Sequence, residues 1–331
     1  MPSGHPLPVR SRKPLLTLVA IAPVLTEIVS GNTPPHALLH PAIALFLVAA
    51  YSLPLLVIRE VRERWELPTL GVVALGLAYG ILNEGLLAQT LLRAEHVPIA
   101  NFDHYVVVGG VNLSWAALIV PWHALMAVLL PLTLLDYWFP EAARTRWLSR
   151  EPFAVLAAVV IAAVTFVALA RPPHVQMHAF LLAIAALVLC AWLTRHRRAA
   201  DVRGEARRGR AFAFGAGAYV AVFLGTIVLA TRRVATPVYF AAVAALWIAV
   251  AGLLHRRAFD RLPDAALVAL GAYCAASVFN LLGGIGGHSP EAVACGAILA
   301  TTFLVLWRMS PVAHRIPPAP TAPQHGGARH F

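Results

Sequence analysis

The sequence predicts an all-α transmembrane bundle of about ten helices, and three observations carry that prediction. Of 331 residues, 60% are hydrophobic and only 12% are charged, whereas soluble domains are about a quarter charged. A surface facing water on all sides could not be covered with so few polar groups, which excludes a soluble enzyme, a disordered scaffold and a free nucleic-acid binder. Apolar windows of about 20 residues, the length that crosses a hydrocarbon core, recur ten times. The basic residues fall between those windows in a one-sided pattern.

The predicted spans are 14–30, 38–58, 68–92, 111–135, 152–170, 177–194, 211–230, 237–254, 265–282 and 290–307. The first has basic residues before a short apolar run, as a secretory signal does. Glu27 lies within that run and no clean small-residue cleavage site follows, so it reads as a retained span. With the amino terminus inside, 22 of the 26 basic residues fall on the cytoplasmic side. Arg93, Arg171, Arg232 and Arg233 are left on the other. Cytoplasmic loops are enriched in this way, so both termini are expected inside, in a multi-pass bacterial inner membrane.

The arginine-rich loop Arg195–Arg210 lacks interleaved aromatics and lies between two spans. It reads as a topogenic segment in contact with anionic lipid, not as a nucleic-acid site. No protein partner is indicated. Cys190, Cys274 and Cys295 fall within spans without metal-ligand spacing and read as packing residues. No cofactor or metal is expected. There is no Gly-rich run followed by Lys and Ser or Thr for ATP, and His104 and His123 lack a paired-span arrangement suited to haem.

Polar residues divide the chain into two halves. Residues 140–310 hold about six spans built mainly of Ala, Val, Leu and Phe, and 311–331 reads as a disordered cytoplasmic tail. Residues 1–139 hold about four spans with Glu27, Asn83, Glu84, Gln89, Asn112, Ser114 and His123. An ionisable group inside a bilayer costs several kcal/mol unless it faces protein, water or a partner. Gly76, Gly80 and Glu84 share one helix face by their i, i+4, i+8 spacing. Glycines on that face admit a neighbouring backbone, so Glu84 is expected to face another helix.

Glu27 and Glu84 both fall in the outer halves of their spans. The fourth span carries Asn112, Trp115, Trp122 and His123 at helical spacing, with Pro121 weakening the helix two residues before His123. The preceding loop adds Asp103 and His104. These groups are expected around one outward-facing polar site. Each has a structural alternative: Glu84 and His123 as interhelical clamps, Asp103 and His104 as ordinary loop residues, and the two tryptophans as packing.

The stretches PVLTEIVSGNTPP, AYGILNEGLLAQTLL and GVNLSWAALIVPWHALMAVLLPLTLLDYWFPE resemble a group of bacterial polytopic membrane proteins without an assigned activity. More distantly, the chain is similar to the glutamic intramembrane proteases of the CAAX-processing group. There Glu84 would match the second Glu of the paired-Glu motif, with Asn83 standing in place of the first. His123 would match the second motif's His, with Ile119 in the Phe position. The third motif has no counterpart, since Asn280 follows Ala276.

That resemblance implies a membrane-embedded hydrolase, with Glu84 as the base that activates water, His123 as its partner and Glu27 nearby. His123 or Asn112 would supply the oxyanion donor. Two other readings fit the same residues. One is a proton-coupled transporter. The other is a non-catalytic membrane subunit or assembly factor that uses the polar cluster to dock helices.

Overall fold

The computed structural model describes residues 12–28, 33–96, 98–170, 176–196, 208–256, 262–286 and 297. Helix α1, Lys13–Pro23, runs on into a wider π turn at Val24–Ile28. Then come α2 (Pro41–Arg64), α3 (Thr69–Leu87), α4 (Leu113–Trp138), α5 (Arg150–Leu169) and α6 (Gln176–Leu193). The described chain continues with α7 (Arg208–Thr231), α8 (Thr236–Arg256) and α9 (Leu262–Gly286). The one sheet among the described residues is a hairpin of β1 (Val107–Val108) and β2 (Val111–Asn112). It turns on Gly109 and Gly110, both at positive φ, which a two-residue hairpin turn requires.

Seven of these helices are long and apolar enough to cross a membrane. One predicted span falls short of that length, α1 with its π turn, Lys13–Ile28, whereas α8 is 21 residues long and apolar over Thr236–Val250. The predicted span 290–307 lies outside the described residues, Ala297 apart. An all-α multi-pass bundle is what the chain forms. The lipid-facing layer is visible in α5 and α6, where Phe166 and Leu182 are more than 70% exposed.

The third predicted span, 68–92, ends early, at Leu87. Ala88 N–H closes on Asn83 O at 2.7 Å, and Gln89 takes a left-handed conformation that reverses the chain into a 3-10 turn at Thr90–Leu92. No glycine or proline marks that reversal, so hydropathy alone ran the span through it.

Four of the first helices contain π turns: Val24–Ile28, Val48–Ser52, Leu82–Leu87 and His123–Leu129. Such turns offset the backbone ladder and frequently mark functional sites. Prolines adjoin three of them, and a proline has no N–H to return to the preceding turn. Pro23 leaves Val19 O without its i+4 donor, and Ser52 Oγ donates to that oxygen at 2.9 Å. Within the second π turn, Tyr79 Oη donates to Ala50 O at 2.8 Å.

At the end of the fourth π turn, Leu130 N–H bonds Leu125 O, five residues back. In that register Pro131 fails Met126 O, which instead accepts from Tyr273 Oη of α9 at 2.8 Å. With no water in hydrocarbon, such carbonyls must be satisfied from within the protein. Ser52 and Tyr273 do so from neighbouring helices, and with Tyr79 they fix how α1, α2, α3, α4 and α9 sit together.

Small residues complete the packing. A Cβ on Gly76 would lie 2.7 Å from Ala124 Cα, and one on Gly80 would lie 2.8 Å from Val120 O. Backbones of α3 and α4 therefore touch where the sequence predicted a close approach. In the second half, Gly215 of α7 faces the Val268 backbone and Gly271 of α9 faces the Phe212 backbone. In the loop between α3 and α4, Tyr105 Oη donates to Val234 O at 2.7 Å and Arg233 donates to Asp103 O at 2.8 Å. Those two bonds pin the loop to the α7–α8 turn.

At the other end, the arginines expected in a cytoplasmic loop lie in the last turns of α2. Arg59 and Glu60 are 1% and 0% exposed. Arg62 grips Asp136 of α4 with two hydrogen bonds of 2.7 and 2.8 Å. Arg59 stacks on Trp147 at 3.7 Å. Burial and these partners hold Arg59 and Arg62 inside the bundle end and not in an exposed loop. Most of the Arg195–Arg210 loop lies outside the described residues.

Ser52→Ala is expected to cost about 1–3 kcal/mol, the penalty of a buried unsatisfied acceptor. Adding Pro23→Ala, which restores the i+4 donor, should recover most of that loss. Thermal unfolding in detergent of the two single variants and the double variant measures this coupling. Simple additivity would show that Val19 O does not depend on Ser52.

Candidate functional site

Each π turn brings a polar side chain into the bundle: Glu27, Tyr51, Glu84 with Asn83, and His123. A widened turn displaces its side chains from the regular helical stripe. In α4 the turn begins two residues after Pro121, and His123 is only 2% exposed. Its ring lies edge-on to Tyr79 and to Trp122, with centroids 5.8 and 5.3 Å apart.

The geometry of His123 assigns its protons. Nδ1 is 3.0 Å from Ile119 O, and a carbonyl oxygen can only accept, so Nδ1 carries hydrogen. Nε2 lies 3.4 Å from Glu84 Oε1 and makes no hydrogen bond among the described residues. At that separation the contact is electrostatic.

The other oxygen of Glu84 is fixed too. Thr90 Oγ1 donates a short hydrogen bond to Oε2, and Trp115 Nε1 donates to Thr90 Oγ1 at 2.9 Å. The reversal at Gln89 makes this chain, because six residues of continuous helix would have carried Thr90 away from Glu84. Asn83 turns the other way, and its Nδ2 donates to Tyr79 Oη at 3.0 Å.

Beside this pair lies a second carboxylate. Glu27 is half-buried and accepts from Thr33 Oγ1 at 2.7 Å and, through a short bond, from Tyr51 Oη. Glu27 and Glu84 are near enough to Tyr51 and Tyr79 for both carboxylates to act electrostatically on both phenols. Glu27, Glu84 and His123 therefore belong to one cluster, with Tyr51 and Tyr79 between them.

Asn112, Asp103 and His104 are placed differently. Asn112 caps α4, its Oδ1 accepting from Trp115 N at 3.0 Å and from Ser114 Oγ at 2.8 Å. Its amide nitrogen donates to Phe102 O at 3.0 Å and Arg93 O at 3.4 Å. With its amide committed to the loop, Asn112 has no donor to offer an oxyanion. His104 is exposed and pairs with exposed Glu95 at 3.4 Å. Asp103 lies in the loop held by Arg233. Trp115 supports Glu84 through Thr90, while Trp122 packs on His123 and hydrogen-bonds Tyr219 of α7.

Sequence reasoning passed over Thr33, Tyr51, Tyr79 and Thr90. A polar Tyr51-Ser52 pair just before Pro54 was the available signal for the second π turn. Thr90 gave none, since only the reversal at Gln89 brings it to Glu84. Among the described residues no group of three His, Cys, Asp or Glu side chains has metal-binding geometry.

The sequence matches the model of an uncharacterized membrane protein family over residues 16–317. The chain belongs to that family, and it is an integral, multi-pass membrane protein. No curated protein and no solved structure matches it significantly.

Thr90→Val is expected to strip Glu84 Oε2 of its donor and Trp115 Nε1 of its acceptor. The loss should be about 1–3 kcal/mol in unfolding free energy, with a shift in tryptophan emission that Thr90→Ser largely restores. Unchanged emission in Thr90→Val would remove Thr90 from the Glu84 support.

Proposed function

We propose that this protein is a proton-coupled membrane transporter in which Glu84 and His123 together carry the coupled proton. The observation that supports this most is the buried pair itself, with His123 Nδ1 held on Ile119 O and Nε2 facing Glu84 Oε1 at 3.4 Å. Buried carboxyl–histidine pairs are the elements of intramembrane proton relays. Helices broken by proline and π turns are typical of transport paths. Half-buried Glu27, with Tyr51, stands where a proton would enter from the outer side.

In this reading the chain has ten spans with both termini on the cytoplasmic side of a bacterial inner membrane. The one-sided distribution of arginines supports that arrangement.

A second reading, a membrane-embedded hydrolase with Glu84 as base, is favoured by the Thr90–Trp115 chain that orients the carboxylate, as general-base work requires. Against it stands the commitment of Asn112 to the loop, which removes one of the two expected oxyanion donors.

The test uses purified protein in liposomes loaded with a pH-sensitive dye and supplied with a low-molecular-weight metabolite fraction. Wild type is expected to show metabolite-dependent proton movement, and Glu84→Gln to reduce it by about tenfold or more. New peptide termini in wild-type membranes, absent with Glu84→Gln, would decide for the hydrolase. Equal behaviour of wild type and Glu84→Gln in both assays would leave the cluster a helix-docking element.

A further inference from the structure

We propose that the segment 139–149, held by the arginines at the end of α2, is the inner gate of the path whose outer half holds Glu84 and His123. This rests on the transport reading above. Three observations point to it.

The gate and the site share their helices. Tyr51 and Arg62 lie on α2, and eleven residues separate them by about 16 Å of helix. His123 and Asp136 lie on α4, about 20 Å apart by the same rise. A change at the π turns therefore acts on levers whose far ends are joined by the Arg62–Asp136 pair.

The segment is stitched down by side chains and not by regular secondary structure. Arg59 donates to Ala142 O and Thr145 O at 2.7 and 2.6 Å, and Arg64 donates to Leu148 O at 2.8 Å. Glu60 accepts from Trp147 N at 2.8 Å, and the Trp147 ring covers Arg59. Every one of these bonds reaches α2, so the segment can lift as a unit.

The chemistry of the seal also favours a reversible closure. A buried ion pair stabilises a fold poorly compared with apolar packing, and its best-attested uses are in register and switching. Opened to water, these guanidiniums and carboxylates are well hydrated, whereas an apolar plug would expose apolar surface. Closed and open states are thereby kept close in free energy.

The test places a cysteine at Ala127, buried on α4 between His123 and Asp136, in a chain whose Cys190, Cys274 and Cys295 are replaced. Labelling by a membrane-impermeant maleimide is followed in membrane vesicles of both orientations. Asp136→Asn removes half the ion pair, and Trp147→Ala loosens the segment without leaving a charge unpaired. Each is expected to raise labelling from one side by about tenfold, and the conservative Asp136→Glu, which keeps a carboxylate for Arg62, to raise it far less.

Unchanged labelling in both variants overturns the gate. So does an equal rise at Ala266→Cys, buried in α9, because that would be general loosening. Proton movement in the same preparations separates the two proposals. Glu84-dependent flux without the labelling response leaves transport standing and removes the gate. The labelling response without any wild-type flux keeps the opening segment and removes transport.

Discussion

Backbone carbonyls that proline leaves without a donor set the terms for this bundle. In a hydrocarbon surrounding, each such oxygen costs several kcal/mol unless a donor reaches it. Pro23 and Pro131 each create one, which Ser52 and Tyr273 answer, and Tyr79 donates to Ala50 O inside the second π turn. These bonds run between helices, so the defects that weaken individual helices are the joints that hold neighbouring helices in register.

The candidate site follows from the same defects. The π turns carry Glu27, Tyr51, Glu84 and His123, and Tyr79 both donates to Ala50 O and lies edge-on to His123. Gly76 and Gly80 then let α3 and α4 approach until Glu84 meets the imidazole. Polarity is thus concentrated where the backbone is irregular. The outer face of α5 and α6 stays apolar, as contact with lipid requires.

Charge is disposed differently at the two ends. Around Glu84, the Thr90 hydroxyl and the His123 imidazole face one carboxyl group. At the end of α2, guanidiniums and carboxylates neutralise one another almost completely while buried. Arg62 alone contacts both Glu63 and Asp136, at 2.6 and 2.7 Å. The two arrangements lie on the same pair of helices, so their positions are mechanically linked.

Composition and hydropathy by themselves determined the class of protein, an all-α bundle in a membrane, because too few polar residues exist to cover a water-facing surface. The spacing of Gly76, Gly80 and Glu84 also determined that this carboxyl faces a neighbouring helix, since helical periodicity is a local property. The reversal at Gln89 that brings Thr90 onto Glu84 was decided only in three dimensions, as were the hydroxyls that meet orphaned carbonyls and the commitment of Asn112 to the loop. Arg59 and Arg62 likewise read as loop charges until Asp136 and the segment 139–149 folded against them. Each of these depends on partners far apart in the chain, and sequence spacing carries no information about which distant donor an acceptor will find.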